Sequence, residues 1–462
     1  WPLLLYTLAA PLGWSPFTLY LAGHTGARKT SLALVAQSFF GYRADHPPIG
    51  WEATANALEG AAFAAKDALL LVDDFAPTGH ERQQNELKAK AARLLREQGN
   101  ATGRARMRAD GSMAGARPPR GSLLVTGEDL PPGHSVRARS LIIELRHGDV
   151  DLDVLTKLQK AARAGTFAKA MSAWVRYLAK DLPRYVERLR NRVVELRPEW
   201  RADHGRTTDA IARLHAAWEL WRDYAMSIGA LTKAEADELE ASMCEAFREI
   251  AAAQAEYQRD ADPVERFMSL LPAVLQSGRA HLVNADKPDE PPAEAHRWGW
   301  RKSTTTGDDG RTLERWEPQG AAIGWVPKNP DSEGIYLDPE ASYAALNRLA
   351  CEGGEPLPTA RTLWKRLGER GVIGHRAEGG ETRYKFKVTL GGKRLRVVHV
   401  LPVSLVPRKT TGAEEKTGAA EKPVTARDFS HCPGSPGLCD MTTRRDETYA
   451  AKPHNDWEEV VF

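Results

Sequence analysis

The stretch that most constrains the fold lies between residues 17 and 41, where a strand pattern, a glycine-containing loop and a helix pattern follow one another. Phe17 to Ala22 is a short apolar run typical of a buried β-strand. The loop GHTGARKT separates this run from an apolar helix that opens at Lys29. Backbone N–H groups in such a loop, together with the helix N-terminus, create positive potential. The pattern therefore predicts an α/β core with a phosphate site at the end of its first strand.

The spacing of the loop residues matches a nucleoside-triphosphate cradle at all positions but one. Gly23, Lys29 and Thr30 stand at the positions of the first glycine, the lysine and the hydroxyl residue. Arg28 stands where a second glycine is usual, and Gly26 supplies part of the lost backbone freedom. We expect Lys29 to reach the β- and γ-phosphates of ATP and Thr30 to hold Mg²⁺. The alternative is a chance Gly-Lys loop before an ordinary core helix.

A second apolar run, from Ala68 to Val72, ends in two aspartates, Asp73 and Asp74. Its length and flanks predict a buried parallel strand. Ligands of open α/β sheets bind at the carboxyl ends of such strands, beside the phosphate loop. We expect Asp73 to hold Mg²⁺ through water and Asp74 to polarise the attacking water. A solvated strand end is the alternative reading.

Residues 81–98 predict a charged helix, and residues 99–122 lack periodicity and are rich in glycine and arginine. Both a flexible solvated loop and a mobile arm that touches DNA phosphates fit this composition. The arginines that we consider as DNA contacts are Arg104, Arg106 and Arg108.

Leu123 to Val125 predicts a third core strand, and the Thr126 that follows it is placed to sense a γ-phosphate. Arg137 and Arg139 precede a fourth apolar run. In ring ATPases an arginine at such a position reaches the phosphate of a neighbouring subunit. A surface salt bridge is the alternative for either arginine.

The order of these motifs resembles the ATPase core of phage and mobile-element replication proteins. The segments are GHTGARKT, WEATANALEG, LLLVDD, GNATGRAR, LLVTGEDLP and VRARS, within about residues 1–180. These superfamily-3-helicase-like ATPases are often fused to a primase. The resemblance implies a RecA/AAA+-like P-loop fold, ATP hydrolysis with Mg²⁺, a homo-oligomeric ring, DNA unwinding and a primase domain or subunit as partner. The matching positions are Lys29, Thr30, Asp73, Asp74, Thr126 and Arg139.

Two positions depart from that family pattern. Arg28 replaces the usual glycine, and Asp74 replaces a glutamate that many members have. Both departures bear on the rate of hydrolysis more than on nucleotide binding.

The chain beyond a core of residues 1–151 divides by composition. Residues 152–286 predict an α-helical bundle or lid, within which Thr232 and Glu235 form a capping-box pattern. Residues 287–310 predict a linker rich in proline, glycine and charge. Residues 407–462 are low in apolar residues and predict a disordered tail.

Residues 311–406 predict a winged helix, because two helix patterns precede two alternating strands around Gly391 and Gly392. Eleven Lys/Arg but only three acids lie between residues 358 and 396, an excess that favours DNA phosphates as ligands. Protein docking is the alternative. The candidate contacts on the second helix are Arg361, Lys365, Arg366 and Arg370.

The bulk composition restricts these interpretations. The net charge is only +3 over 462 residues, so a DNA surface has to come from local clusters. Four cysteines are too few for a disulfide framework and predict the cytoplasm. The apolar segment 1–14 is too short to span a membrane and predicts a helix packed on the core. The chain opens at Trp1, which predicts a piece of a longer protein.

The sequence therefore favours an ATP-dependent DNA helicase or helicase-like ATPase. The alternative is a nucleotide-switched DNA-binding regulator with weak or no turnover. A zinc site from His431, Cys432, Cys439 and His454 is disfavoured, because the cysteine spacing fits no standard knuckle.

Overall fold

The structure is a computed structural model that describes residues 1–41, 46–107, 110–202, 204–306, 312–378 and 381–402. Its strands are β1 Thr18–Ala22, β2 Ile49–Gly50, β3 Leu69–Phe75, β4 Arg106–Met107, β5 Met113–Ala114, β6 Ser122–Gly127, β7 Ser140–Glu144, β8 Ala280–Asn284, β9 Trp300–Thr306, β10 Thr312–Pro318, β11 Ala321–Val326, β12 Ile335–Leu337, β13 Arg376–Glu378, β14 Glu381–Arg383, β15 Phe386–Leu390 and β16 Lys393–Val400. Its helices are α1 Pro2–Ala9, α2 Lys29–Ser38, α3 Ala55–Ala64, α4 Glu81–Asn100, α5 His134–Arg137, α6 Leu152–Arg163, α7 Thr166–Leu178, α8 Leu182–Leu196, α9 Gly205–Ser227, α10 Lys233–Asp260, α11 Pro263–Gln276, α12 Pro330–Glu333, α13 Pro339–Glu352 and α14 Ala360–Glu369.

The first sheet has five parallel strands in the order β2-β3-β6-β1-β7. Every residue of β1 and β6 is buried, which explains why these strands read as continuous apolar runs. All five strands point the same way, so their carboxyl ends form one edge of the sheet. The predicted α/β architecture with a central parallel sheet is confirmed.

Helices cover both faces of this sheet. On one face, α1, α2 and the helices α6–α10 share a single core with β1, and the rings of Phe39 and Phe167 stack 4.8 Å apart there. On the other face, α3, α4 and α5 contribute Leu58, Leu94 and Val136 to a separate core. The helical region that follows β7 therefore joins this core: α6 packs on α2, α9 on α1 and α10 on β7.

The N-terminal segment is tied into the sheet by hydrogen bonds. The Tyr6 hydroxyl of α1 donates to the Phe17 carbonyl at 2.7 Å, and the Trp174 indole donates to the Leu8 carbonyl at 2.9 Å. No helix among the described residues is long and apolar enough to cross a membrane. Further along, α10 opens with the predicted capping box of Thr232 and Glu235, which is confirmed.

A second core begins at α11, which lies inside the region expected to be one helical bundle. Phe267 of α11 packs edge-on against Trp364 of α14, with ring centroids 5.9 Å apart. Strands in the order β15-β16-β12-β11-β8 form the second sheet, in which β8 and β11 are parallel and the remaining neighbours antiparallel.

Residues 287–310, expected to be a linker, contribute to this second core where they are described. Trp298 and Trp300 are buried, and the Trp300 indole donates to the Leu282 carbonyl at 2.9 Å. The prolines and charges that predicted a linker are outweighed here by the apolar area of two tryptophans. Gly391 and Gly392, with φ of 53° and 74°, make the turn between β15 and β16. The predicted tail and the four residues considered for zinc lie outside the described residues.

Candidate nucleotide site

The loop after β1 has the backbone shape of an anion cradle. Gly23 and Gly26 have φ of 148° and 87°, and Arg28, at the N-cap of α2, has φ of 65°. A Cβ on Gly23 would overlap the carbonyl oxygen of Leu145, so only glycine fits at that position. Arg28 adopts the left-handed conformation that a glycine would adopt more easily. The loop thus keeps the glycine-type geometry at the substituted position.

Lys29 is buried at the centre of this loop, with 8% of its surface exposed. Its ammonium donates to the Gly23 carbonyl at 2.7 Å and to the His24 carbonyl at 3.0 Å. Both of these partners are neutral backbone carbonyls of the same loop, so the ammonium can also bind an anion there. The structure therefore places the predicted lysine inside the predicted cradle.

Asp73 gathers two hydroxyl groups at the carboxyl edge of the sheet. Thr30 donates to its Oδ1 at 2.9 Å, and Thr126 donates to the same oxygen at 2.5 Å. Oxygen donors of this kind suit Mg²⁺, which prefers carboxylate, hydroxyl and water ligands. These residues fit a nucleotide-bound magnesium ion, with Thr30 and Asp73 closest to the phosphate loop.

Thr126 is fully buried and lies behind Asp73. Its hydroxyl also accepts a hydrogen bond from the backbone N–H of Asp74 at 3.0 Å. The Thr126 hydroxyl thus holds both the Asp73 carboxylate and the Asp74 backbone in place. No described hydrogen bond joins Thr126 to the phosphate loop, so its role as a γ-phosphate sensor stays a prediction.

Asp74 is exposed and sits at an irregularity of β3. Its φ is 63°, and the pairing of β3 with β6 shifts between Val72 and Phe75. Burial raises the pKa of Tyr20 well above its ordinary value, and the charges of Asp129 and Asp74 raise it further. Asp74 therefore contributes to the electrostatic environment of Tyr20.

The two candidate trans-acting arginines lie far from this loop. The backbone carbonyl of Arg139 accepts from the Thr18 N–H at 2.9 Å, at the amino end of β1, whereas the phosphate loop leaves its carboxyl end. The Arg139 guanidinium donates to Asn100 at 3.1 Å and to Ser135 at 2.6 Å. Burial, Arg206 and Arg96 lower the pKa of Arg139, which marks a cluster of like charges at this end of the sheet.

Arg137 is engaged differently. It is 16% exposed and its guanidinium lies 3.4 Å from the carboxylate of Glu355, which also accepts from the Gly133 N–H at 2.6 Å. Arg266 of α11 donates to the Glu355 carbonyl as well. Arg137 thus ties the first sheet to the C-terminal part of the chain, within one molecule.

The segment 99–122 contains a short β4–β5 hairpin. Met107 and Met113 are paired across it and are 74% and 62% exposed. Arg104 is exposed just before β4, Arg106 lies in β4, and Arg108 lies outside the described residues. The segment therefore holds a hairpin with exposed methionines and an exposed arginine just before it, and its contact with DNA stays a prediction.

The four basic residues considered as DNA contacts on α14 and at its C-cap are all exposed, but their surroundings differ. They are Arg361, Lys365, Arg366 and Arg370. Arg370 lies 2.6 Å from Asp262, and Lys365 lies 3.7 Å from Glu369. Arg361 and Arg366 are left as the cations of α14 best placed for an outside ligand.

Sequence reasoning gave no role to Glu128, the residue directly after β6. Its carboxylate accepts a hydrogen bond from the Thr25 hydroxyl in the phosphate loop. The signal was available, because Glu128 is an acid at a strand's carboxyl end, as Asp73 is. The link between Arg137 and Glu355 had no such signal, because 218 residues separate them.

Comparisons with known proteins found a similar structure but no relative by sequence. No protein-family model matches the chain, and no curated protein matches it by sequence. Among solved structures it is similar to SCCmec type IV Cch, an active helicase, with a TM-score of 0.54 and 12% sequence identity. The match covers 87% of this chain and 68% of the other. The chain therefore has a helicase-like fold, and at this identity the likeness shows the fold alone.

Proposed function

We propose that this chain is an ATP-dependent DNA helicase of a phage or mobile-element replication system. The observation that carries the proposal is the group formed by Lys29, Thr30 and Asp73 at the carboxyl edge of a parallel sheet. A buried ammonium inside a glycine-shaped loop, beside a carboxylate that collects hydroxyl groups, is suited to a triphosphate and its magnesium ion. The superfamily-3-like order of the sequence motifs and the fold of a mobile-element helicase support the same assignment.

In this proposal each residue of the site has one task. Lys29 neutralises the β- and γ-phosphates, and the loop from Gly23 to Gly26 offers its N–H groups to them. Thr30 and Asp73 hold Mg²⁺, and Thr126 fixes the Asp73 carboxylate. The magnesium ion, when bound, supplies charge that stabilises the transferring phosphoryl group.

We place the trans-acting arginine at Arg139. It lies at the opposite end of β1 from its own phosphate loop, so it can serve only the site of another copy. Arg96 and Arg206 lie near it and add positive charge that would attract a neighbour's phosphates. Arg137 is less suited, because Glu355 already binds it within the chain. This arrangement implies a homo-oligomeric ring.

DNA is the proposed polymer, held by the β4–β5 hairpin and by the exposed face of α14, the second helix of the proposed winged helix. Arg104 stands at the base of the hairpin, and Arg361 and Arg366 stand on α14. Such cations bind phosphates without reading sequence. A primase domain or subunit and a cytoplasmic location complete the proposal.

A second candidate is a DNA-binding regulator in which nucleotide acts as a switch. The observation in its favour is Arg28, which stands where glycine is usual in the loop and has a left-handed backbone conformation. A strained cradle would hold ATP and turn it over slowly. The two candidates differ in turnover and not in nucleotide binding.

The test measures ATP hydrolysis with and without single-stranded DNA, strand separation of a forked duplex, and particle shape by negative stain. A helicase gives DNA-stimulated hydrolysis, separated strands and rings with ATP. The control is Asp73→Asn, which should abolish hydrolysis and separation together. ATP binding without DNA-stimulated turnover would overturn the helicase in favour of the regulator.

A further inference from the structure

Glu128 lies at the carboxyl end of β6, next to the phosphate loop. Its backbone N–H donates to the Phe75 carbonyl at 3.1 Å, which fixes the residue between the ends of β6 and β3. Its carboxylate accepts from the hydroxyl of Thr25, two residues after Gly23 in the phosphate loop. The carboxylate therefore lies beside the loop that would cradle the phosphates.

Asp74, the residue expected to polarise the attacking water, lies at the irregularity of β3. Side chains alternate along β3: Leu69 and Leu71 lie in the core on the α2 side, and Asp73 follows them towards Thr30. Val72 and Phe75 both lie in the opposite core with Tyr20, so the alternation is interrupted at Asp74, where φ is 63°. Among the described residues, no hydrogen bond joins the Asp74 carboxylate to the phosphate loop, whereas Thr25 of that loop donates to Glu128.

The contacts of Asp74 and Glu128 also favour Glu128 as the residue that acts on water. The Asp74 backbone is pinned by Thr126 at 3.0 Å, in a left-handed conformation that an aspartate tolerates. Glu128 has a longer side chain and is exposed, so it can exchange the Thr25 hydroxyl for a water molecule when phosphates enter the loop. Both carboxylates are exposed, but of the two only that of Glu128 has a described hydrogen bond to the loop.

We propose that Glu128 is the catalytic residue that orients the attacking water, an inference that rests on the proposed ATPase function. The water oxygen forms a bond to the γ-phosphorus, and the bond from that phosphorus to the β–γ bridging oxygen breaks. The bridging oxygen leaves with the electron pair on ADP. Glu128 accepts the proton that the water loses, and Thr25 keeps the carboxylate at the loop until the substrate arrives.

The experiment compares Glu128→Gln, Glu128→Asp and Asp74→Asn in the full chain, with Asp129→Asn as the matched control. Asp129 is the next acid along, and it is its backbone carbonyl that Tyr20 contacts. We measure kcat for ATP in the presence of single-stranded DNA, and ATP affinity by titration with a fluorescent ATP analogue. Glu128→Gln should lower kcat about 100-fold, the usual contribution of a general base, and leave affinity unchanged or tighter because a negative charge is lost. Glu128→Asp should recover part of the rate.

The outcomes separate this inference from the function it rests on. If the parent chain binds ATP and does not hydrolyse it, the proposed helicase fails and this inference fails with it. If the parent hydrolyses ATP and Glu128→Gln does so at the same rate, this inference alone is overturned. Loss of turnover in Asp74→Asn with a parent-like Glu128→Gln would return the role to Asp74. Retained ATP affinity in each variant shows that the fold is intact.

Discussion

The two sheets of this protein handle charge in opposite ways. At the carboxyl edge of the first sheet, charged and polar groups are buried and bound to one another: Lys29 to loop carbonyls, and Asp73 to two threonines. Around the second sheet the basic groups are exposed, as Arg361 and Arg366 are, or paired with acids, as Arg370 is. The first region has the fixed geometry that we propose for a small charged ligand, and the second carries dispersed positive charge.

The difference has a physical origin. In a parallel sheet the connections return every strand end to one edge, so a few loops converge there. The second sheet is mostly antiparallel, so its strand ends are divided between two edges and do not converge at one. We therefore expect substitutions in the first region to change chemistry, and substitutions in the second to change affinity and its dependence on salt.

The largest effect is expected at Lys29. Lys29→Ala should bring ATP turnover to background and weaken ATP binding about 100-fold, because charge-assisted hydrogen bonds to phosphate in a partly dry site are lost. The measurement is a calorimetric ATP titration. The control is Lys66→Ala, which removes an exposed lysine paired with Asp67 at 3.2 Å and should bind ATP as the parent does. Parent-like affinity in Lys29→Ala would remove the loop from the nucleotide site.

The next effect concerns Arg139. Arg139→Ala should bind ATP normally and turn it over about 100-fold more slowly, below the full range seen for arginines that act in trans. Mixing it with Asp73→Asn chains should restore part of the activity, since an intact arginine of one chain then meets an intact aspartate of another. Arg137→Ala serves as the control, because its partner is Glu355 and no recovery should come from mixing. A mixture without recovery would contradict action in trans.

The β4–β5 hairpin gives a prediction of intermediate size. Replacing Arg104, Arg106 and Arg108 together by Ala should reduce DNA stimulation of the ATPase about tenfold, and equilibrium DNA binding less. The reason is that this hairpin joins α4 to β6 and can follow the nucleotide state, whereas α14 mainly adds affinity. The measurement pairs ATPase assays with anisotropy titrations of labelled DNA. Equal losses in both quantities would make the hairpin an ordinary binding surface.

A smaller effect is expected on α14. Changing Arg361 and Arg366 to Ala should weaken binding equally across DNA sequences and reduce the slope of log affinity against log salt by about two units. Arg370→Ala should leave that slope unchanged, since Arg370 is bound to Asp262. Anisotropy titrations at several salt concentrations measure both. An unchanged slope in the double variant would make the C-terminal part a protein-docking module.

The smallest effect is expected at Arg28. Arg28→Gly should stabilise the chain by about 1 kcal/mol, because glycine adopts a φ of 65° without steric cost. Thermal unfolding monitored by circular dichroism measures the change. The matched control is Gly26→Ala, where φ is 87° and the change should be destabilising. A destabilised Arg28→Gly would show that the arginine side chain, and not its backbone, stabilises the loop.

The same comparison explains which features could be predicted from the sequence. The phosphate loop and the Thr232 capping box depend on neighbours a few residues apart, so local chemistry specifies them. Residues 287–310 were expected to be a linker, because composition does not reveal that Trp298 and Trp300 find a core to enter. The helical region was expected to form a bundle or lid, and the sequence did not show that it shares a core with the first sheet, because a hydrophobic stripe does not specify its partner.

The sequence by itself determined the glycine-containing loop after β1, the acids at the strand ends and the positive charge between residues 358 and 396, since each depends on adjacent residues. Tertiary structure alone decided that Asp73 receives both Thr30 and Thr126, that Glu128 reaches Thr25, and that Arg137 is bound by Glu355. These contacts join residues that lie 43 to 218 positions apart. Their geometry depends on strand order and helix packing, which arise only when the whole chain buries its apolar surface.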